Sequence, residues 1–132
     1  MHCRRTDFVN PNCNFHGPLS GEYYKNAIDI ILTKVHKPIF ILFGDDNKFW
    51  KSISDDIYKI YNYEWFVFPD ENEIDTFILM QRFENFIMSN STFNWWIVWL
   101  SKYKNVIIPK VFYGPQGVKN WEDIYESDWI RC

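Results

Sequence analysis

Pro38-Ile39-Phe40-Ile41-Leu42-Phe43 is a short, continuous, β-rich apolar run, and Gly44-Asp45-Asp46-Asn47 breaks it. A strand that wets one face alternates apolar and polar residues. One without alternation is buried on both faces, as in a parallel sheet covered by helices. The flanks supply the helices. Downstream, Asn47 to about Tyr61 carries Phe49, Trp50, Ile53, Ile57 and Ile60 at helical spacing. Upstream, Tyr24, Ala27, Ile28, Ile31, Leu32 and Val35 form one apolar stripe. Ser20 is placed to cap that helix, and Glu22 sits in its first turn, where the dipole favours an acid. Pro38 ends it, with His36 near its negative C-terminal end.

The same alternation continues outward. Trp65-Phe66-Val67-Phe68 reads as a strand stopped by Pro69-Asp70, and about Ile74 to Glu84 as a helix. Phe86-Ile87-Met88-Ser89 reads as a strand, followed by Asn90-Ser91-Thr92. Phe93 to Lys102 is a helix apolar nearly all round, so it is expected to be buried. Val106-Ile107-Ile108 is another strand, Gly114-Pro115-Gln116-Gly117 a loop, and Asp128-Trp129-Ile130-Arg131 the tail. Strands alternating with helices predict an α/β fold with a Rossmann-like, doubly wound, mostly parallel sheet.

Composition bounds the rest. The 132 residues make one domain, and with 47% hydrophobic and 20% aromatic residues they can fill a core. That content excludes disorder along the whole chain. A net charge of −3 gives no basic field for nucleic acid. Three cysteines, Cys3, Cys13 and Cys132, do not form a disulfide framework. Met1-His2-Cys3-Arg4-Arg5 leads into polar residues, so no signal peptide is expected here. The longest apolar candidate, Phe93 to Leu100, is far below the roughly 18–20 residues of a membrane span. The compartment is left open.

In doubly wound sheets ligands bind beyond the carboxyl ends of the strands. This chain places Arg4, Arg5, Thr6 and Asp7 after a first strand stub, Gly44, Asp45 and Asp46 after the second strand, and Pro69 and Asp70 after the third. Ser89, Asn90, Ser91 and Thr92 follow the fourth, at a helix start. Paired arginines opposite a hydroxyl-bearing helix N-terminus suit a diphosphate, and guanidinium forks fit phosphate oxygens better than lysine does. A nucleotide or nucleotide-sugar site follows. Blander readings stand beside it. Arg4-Arg5 alone is a solvated pair, and Asp45-Asp46 alone is a turn after a strand. As a metal-binding D-x-D the aspartates have the wrong spacing. A zinc site from His2, Cys3, Cys13 and His16 is disfavoured, because strand neighbours point to opposite faces. The tryptophan cluster is core before it is a sugar platform, and Asp55-Asp56 is a solvated helix face. Asn90-Ser91-Thr92 is formally a glycosylation sequon, but its place in a phosphate loop argues against modification.

His2-Cys3-Arg4-Arg5-Thr6-Asp7-Phe8 resembles the H-x-R-R-G-D-[YF] motif of inverting fucosyltransferases. Asn90-Ser91-Thr92-Phe93-Asn94-Trp95-Trp96 with Trp99-Leu100 is similar to the N-S-[ST]-F-S-W-W-x-x-W-L block of the α-1,2-fucosyltransferase family. Tyr23-Tyr24 with Ala27-Ile28, Phe43-Gly44-Asp45-Asp46, Leu79-Met80, Val106-Ile107-Ile108-Pro109-Lys110 and Trp129-Ile130-Arg131 resemble further elements, in the family's order. Thr6, Asn94 and Ile97 depart from the pattern.

The resemblance covers the C-terminal, donor-binding half of a two-domain GT-B fold. It implies that residues 1–132 are a single donor domain with a truncated first strand and no acceptor domain. The implied reaction is transfer of L-fucose from GDP-fucose to the 2-hydroxyl of a galactose-containing glycan, with inversion and without a metal or other cofactor. A separately encoded N-terminal acceptor half is a candidate partner. The alternative is a non-catalytic nucleotide-binding or interaction module from a truncated or split gene.

By the same resemblance Arg4 contacts the diphosphate, Arg5 and Asp7 hold the motif in shape, and His2 lies beside the nucleoside. Ser91 and Thr92 donate to phosphate, and Asp45 and Asp46 line the cleft. Where the family often carries an aspartate for guanine this chain has Thr76, with Asp75 one residue earlier; on a helix that is a rotation of about 100°. Asp75 is taken as the donor-binding candidate. No catalytic base is assigned.

Overall fold

The computed structural model describes residues 1–10, 15–69 and 72–132. Its elements are β1 (His2–Cys3), α1 (Gly21–Leu32), β2 (Phe40–Gly44), α2 (Asn47–Tyr61), β3 (Trp65–Val67), α3 (Glu73–Met80), β4 (Asn85–Ile87), α4 (Thr92–Trp99), β5 (Asn105–Ile108) and β6 (Ile130–Arg131), with a 3-10 turn at Glu122–Ile124. The predicted strand–helix alternation is present, and every strand pairing is parallel.

The strands form two three-stranded sheets, β1-β2-β3 and β4-β5-β6. The free side of β1 faces β4. His2 Nδ1 lies 2.7 Å from the Ser89 hydroxyl just beyond β4, and Tyr23 of α1 donates to the Met88 carbonyl at 2.6 Å. Read across that junction the order is 3-2-1-4-5-6, the doubly wound arrangement whose ligand crevice lies between strands 1 and 4. β1 carries only two residues, so it covers only the last part of the junction.

Burial follows the sequence pattern. Phe40, Leu42 and Phe43 are buried on β2, and Tyr24, Ala27 and Ile28 of α1 are fully enclosed against it. Trp50 of α2 is also fully enclosed and donates its indole N–H to the Phe43 carbonyl at 3.0 Å. Burying that much aromatic surface with its polar atom paired avoids the cost of an orphan donor. A second cluster gathers Met80, Phe86, Met88, Ile97, Val106 and Ile108 around α3, α4 and β5.

Four expectations are corrected. First, α1 ends at Leu32, so Val35 and His36 lie beyond it. The Lys34 and Val35 amides both turn back to the Ile31 carbonyl, the Thr33 hydroxyl takes the Ile30 carbonyl, and Lys37 is left-handed (φ 52°). Second, α3 stops at Met80, because the Arg82 and Phe83 amides tighten onto the Leu79 and Met80 carbonyls. Third, α4 is not wholly buried. Asn94, Ile97 and Val98 face inward, while Trp96, Trp99 and Leu100 are 46–50% exposed. Fourth, the tail contains a strand: Ile130 and Arg131 pair with Ile107 and Ile108. Two apolar-to-charged positions carry too little periodicity to announce it.

Gly44 sits where β1 meets β2, at φ 146°, a conformation essentially confined to glycine. A Cβ there would run into the Cys3 carbonyl oxygen of the paired strand. Gly44→Ala is therefore expected to destabilise the protein by about 2–3 kcal/mol through strain and a backbone clash. The urea midpoint measures it, and an unshifted midpoint would contradict this account of the β1–β2 junction.

Candidate functional site

Where β1 and β4 end side by side, their connections diverge and leave a cleft of about 420 Å³. One wall is the turn after β1. Its geometry depends on Asp45, at the end of β2. The carboxylate accepts the Arg5 amide at 2.8 Å, the Thr6 hydroxyl at 2.6 Å and the Thr6 amide at 3.3 Å. Arg4 Nε lies 3.3 Å from the same group. Partial burial pushes the Asp45 pKa up, but the Thr6 hydroxyl, the Arg5 amide and the Arg4 charge outweigh it and hold it below its ordinary value. Thr6, which departs from the family's glycine, thus earns a role through its side chain.

Arg4 lines the cleft, with its Nε donating to Asp7 Oδ1 at 2.8 Å and its Nη2 to Oδ2 at 3.4 Å. Partial burial acts against its charge, but Asp7, Asp45 and Glu73 raise its pKa above the ordinary value. Arg5 turns the other way and does not line the cleft. Its guanidinium lies 4.0 Å over the Phe49 ring, donates to the Leu19 carbonyl at 2.8 Å and comes within 3.4 Å of Asp46. Asp46 caps α2 by accepting the Phe49 amide at 3.0 Å, and it too stays outside the cleft. The adjacent arginines thus divide into one that faces the cleft and one that ties the turn to α1 and α2.

The opposite wall is the start of α4. Asn94 accepts the Ser89 amide at 3.0 Å, and the Asn90 side chain donates to the carbonyls of Gly17 (2.9 Å) and Phe112 (3.2 Å). Asn90 is 1% exposed, so the formal sequon is closed to modification in the folded chain. Ser91 is the N-cap of α4 but makes no side-chain capping bond. The first amides of α4 therefore lack a side-chain cap beside a cleft lined by Ser91, Thr92 and Phe93. A helix N-terminus of this kind favours an anion.

His2 also lines the cleft, although only 5% of it is exposed. Burial is the main reason its pKa falls to about 3, so the ring is neutral near pH 7. Asp75 is exposed and outside the lining, whereas Thr76 is 8% exposed and lines the cleft with an unpartnered hydroxyl. The helical rotation explains the exchange. Glu73, Phe8 and His16 line the cleft as well, Phe8 and His16 stacked at 4.6 Å and 8°. Sequence reasoning did not assign Glu73, Phe8 or His16 to the site, since nothing local marks their direction, and it passed over Thr76, which holds the position the resemblance marks for guanine, in favour of the Asp75 carboxylate. Asp70 and Cys13 lie outside the described residues. Among the described residues no three His, Cys, Asp or Glu side chains gather as metal ligands would, and no helix is long and apolar enough to cross a membrane.

Comparison with known proteins adds a family. Residues 1–132 match the profile described as Glycosyl transferase family 11. The chain is 34% identical over 113 residues to the O-antigen biosynthesis glycosyltransferase WbnK of Escherichia coli, covering 82% of this chain and 36% of that protein. It is 26% identical over 135 residues to an alpha-1,2-colitosyltransferase of Escherichia coli, covering 99% of this chain and 46% of that protein. The chain thus spans between a third and a half of the length of these relatives. No solved structure matches.

The buried neutral histidine has a consequence for pH. Its folded pKa of about 3 lies below the ordinary 6.5, so the unfolded chain takes up the proton first as pH falls. The contribution to stability is complete above 6.5 and is lost progressively toward 3. His2→Asn is expected to flatten the fall in stability through that window, read as urea midpoints at successive pH values. Parallel profiles for the two proteins would contradict it.

Proposed function

Because the chain belongs to glycosyl transferase family 11, we propose that its cleft binds the diphosphate of a nucleotide-sugar donor, GDP-fucose, for transfer of L-fucose to the 2-hydroxyl of a galactoside with inversion. The observation that carries the reading is the pairing of Arg4 with the uncapped start of α4 across one cleft, at the strand 1–4 switch point.

Each wall has a part. The Arg4 guanidinium supplies charge-assisted hydrogen bonds to phosphate oxygens and neutralises charge as the GDP leaves. The α4 amides and the Ser91 and Thr92 hydroxyls donate from the other side. Asp45 holds the turn that presents Arg4, with Arg5, Asp46 and Asp7 bracing it. Thr76 offers a buried hydroxyl to the donor in place of the Asp75 carboxylate, and the stacked Phe8–His16 pair gives a flat surface at the rim. With arginine and a helix terminus balancing the diphosphate, no divalent ion is required. The acceptor side is formed with a second domain, in keeping with the share of the relatives' length that this chain spans. The relative named a colitosyltransferase makes colitose the competing donor sugar, tested by offering both.

Titration calorimetry with GDP tests the site. Binding is expected to survive excess chelator, and Arg4→Lys, which keeps the charge but loses the fork, is expected to weaken it by roughly 1–3 kcal/mol. Equal affinity in the two proteins, or a strict need for magnesium or manganese, would overturn the assignment. With GDP-fucose and a lactose-type acceptor, the 132-residue chain alone is expected to give no fucosylated product, because near-attack geometry needs both substrates held. Robust turnover would place an acceptor site within these residues.

A further inference from the structure

The helix layer formed by α3 and α4 leaves its outer face apolar. Each of these helices returns the chain from the end of one parallel strand to the start of the next, so the two run the same way. The Phe77 and Phe93 rings join them at 5.7 Å. Thr76 and Met80 are the buried residues of α3, and Asn94, Ile97 and Val98 those of α4. At about 100° per residue the opposite faces carry Ile74 and Ile78 on α3, and Trp96 and Trp99, followed by Leu100, on α4. These five side chains are 46–69% exposed. Together they present about 550 Å² to water, near the upper end of the largest apolar patch that a monomer usually keeps. Charge is ordered along the same face. Asp75 sits in the first turn of α3, and Arg82 follows its last turn. Both are exposed, and among the described residues neither side chain has an ion-pair partner. Lys104 is already paired with Glu84, and Glu126 accepts the Trp99 indole N–H at 3.1 Å.

We infer that this face joins two copies of the chain about a two-fold axis, with α3 against α3 and α4 against α4 of the second copy, antiparallel. Area and charge select this occupant and this arrangement. The apolar patch supplies about two thirds of the roughly 800 Å² that a standard interface takes from each partner, and its polar rim can supply the remainder. A closed two-fold contact uses the same patch on both copies, so each residue must meet its counterpart across the axis. An axis lying in the face and perpendicular to the helices reverses their direction. Ile78 then meets Ile78 of the second copy, Trp96 lies near Trp96, and Asp75 of each copy comes opposite Arg82 of the other. The helix dipoles also oppose. An axis along the helices would instead bring the two acidic ends together and the two basic ends together. A domain that closes the cleft stands beyond the helix N-termini and does not cover this face. The inference does not rest on the donor-site reading.

Sedimentation equilibrium of the 132-residue chain provides the test. The chain is expected to be dimeric at about 100 μM and to dissociate on dilution toward about 1 μM. Trp96→Lys is expected to leave only monomer at the higher concentration. Asp75→Arg and Arg82→Asp, made separately, are each expected to weaken the dimer by about tenfold or more, because like charges then meet twice across the axis. The double reversal is expected to return the affinity to within about threefold of the original. That recovery cannot come from misfolding. A chain that is monomeric at about 100 μM would overturn the inference, and its capture by phospholipid vesicles in that state would give the face to a lipid surface. A dimer indifferent to Trp96→Lys would lie elsewhere on the molecule and overturn it too. Single reversals without effect, or a double reversal that stays weak, would exclude the antiparallel pairing and the inference with it.

Discussion

The Asp45 carboxylate is the constraint on which the cleft depends. It stands at the end of a buried parallel strand and receives the amide of Arg5 and both donors of Thr6. A carboxylate with this many donors is well compensated for leaving water. It fixes the residues after β1, whose last residue, Cys3, pairs with the glycine just before it. The glycine before it lets β1 approach close enough for that contact. Remove the carboxylate and the turn that presents Arg4 keeps its sequence but loses its anchor.

The pattern of buried strands and amphipathic helices was legible because it is periodic. The continuous run before Gly44 and the stripes from Tyr24 and Phe49 each admit one reading. Helix ends were less legible, since Thr33 and Gln81 stop α1 and α3 through hydroxyl and 3-10 contacts that leave no proline or glycine at the boundary. β6 is too short for periodicity to register. The exposure of Trp96 and Trp99 was hidden because an all-apolar helix gives no clue to which face lacks a neighbour; Trp99 donates to Glu126, and Trp95 to the Ile124 carbonyl.

The site was legible by position more than by orientation. Arg4, Ser91, Thr92, Asp45, Asp7 and His2 all line one cleft, as strand ends in this topology require. Arg5 and Asp46 neighbour them in sequence yet face away, and Asp75 gives its place to Thr76. Adjacent residues on a strand or helix diverge by roughly 100–180°, so a motif names a neighbourhood and the backbone chooses the member. Asn90 and Asn94 show the opposite case: they read as loop and helix-start residues, but their amides carry the bonds that fasten the β4–α4 loop to Gly17, Phe112 and Ser89.

The bidentate contact between Arg4 and Asp7 bears on how an anion would enter. The guanidinium already holds a carboxylate in the geometry that a phosphate would take, so arrival is an exchange of one oxyanion for another rather than capture by a bare cation. The field that reaches solvent does not attract anions, with Asp7, Asp45 and Glu73 around a single guanidinium. Long-range attraction then does not assist the encounter, and added salt screens a repulsion rather than a steering field. Selectivity passes to whichever oxyanion best fills both the fork of Arg4 and the amides of α4, so the cleft discriminates by the shape of its guest more than by total charge.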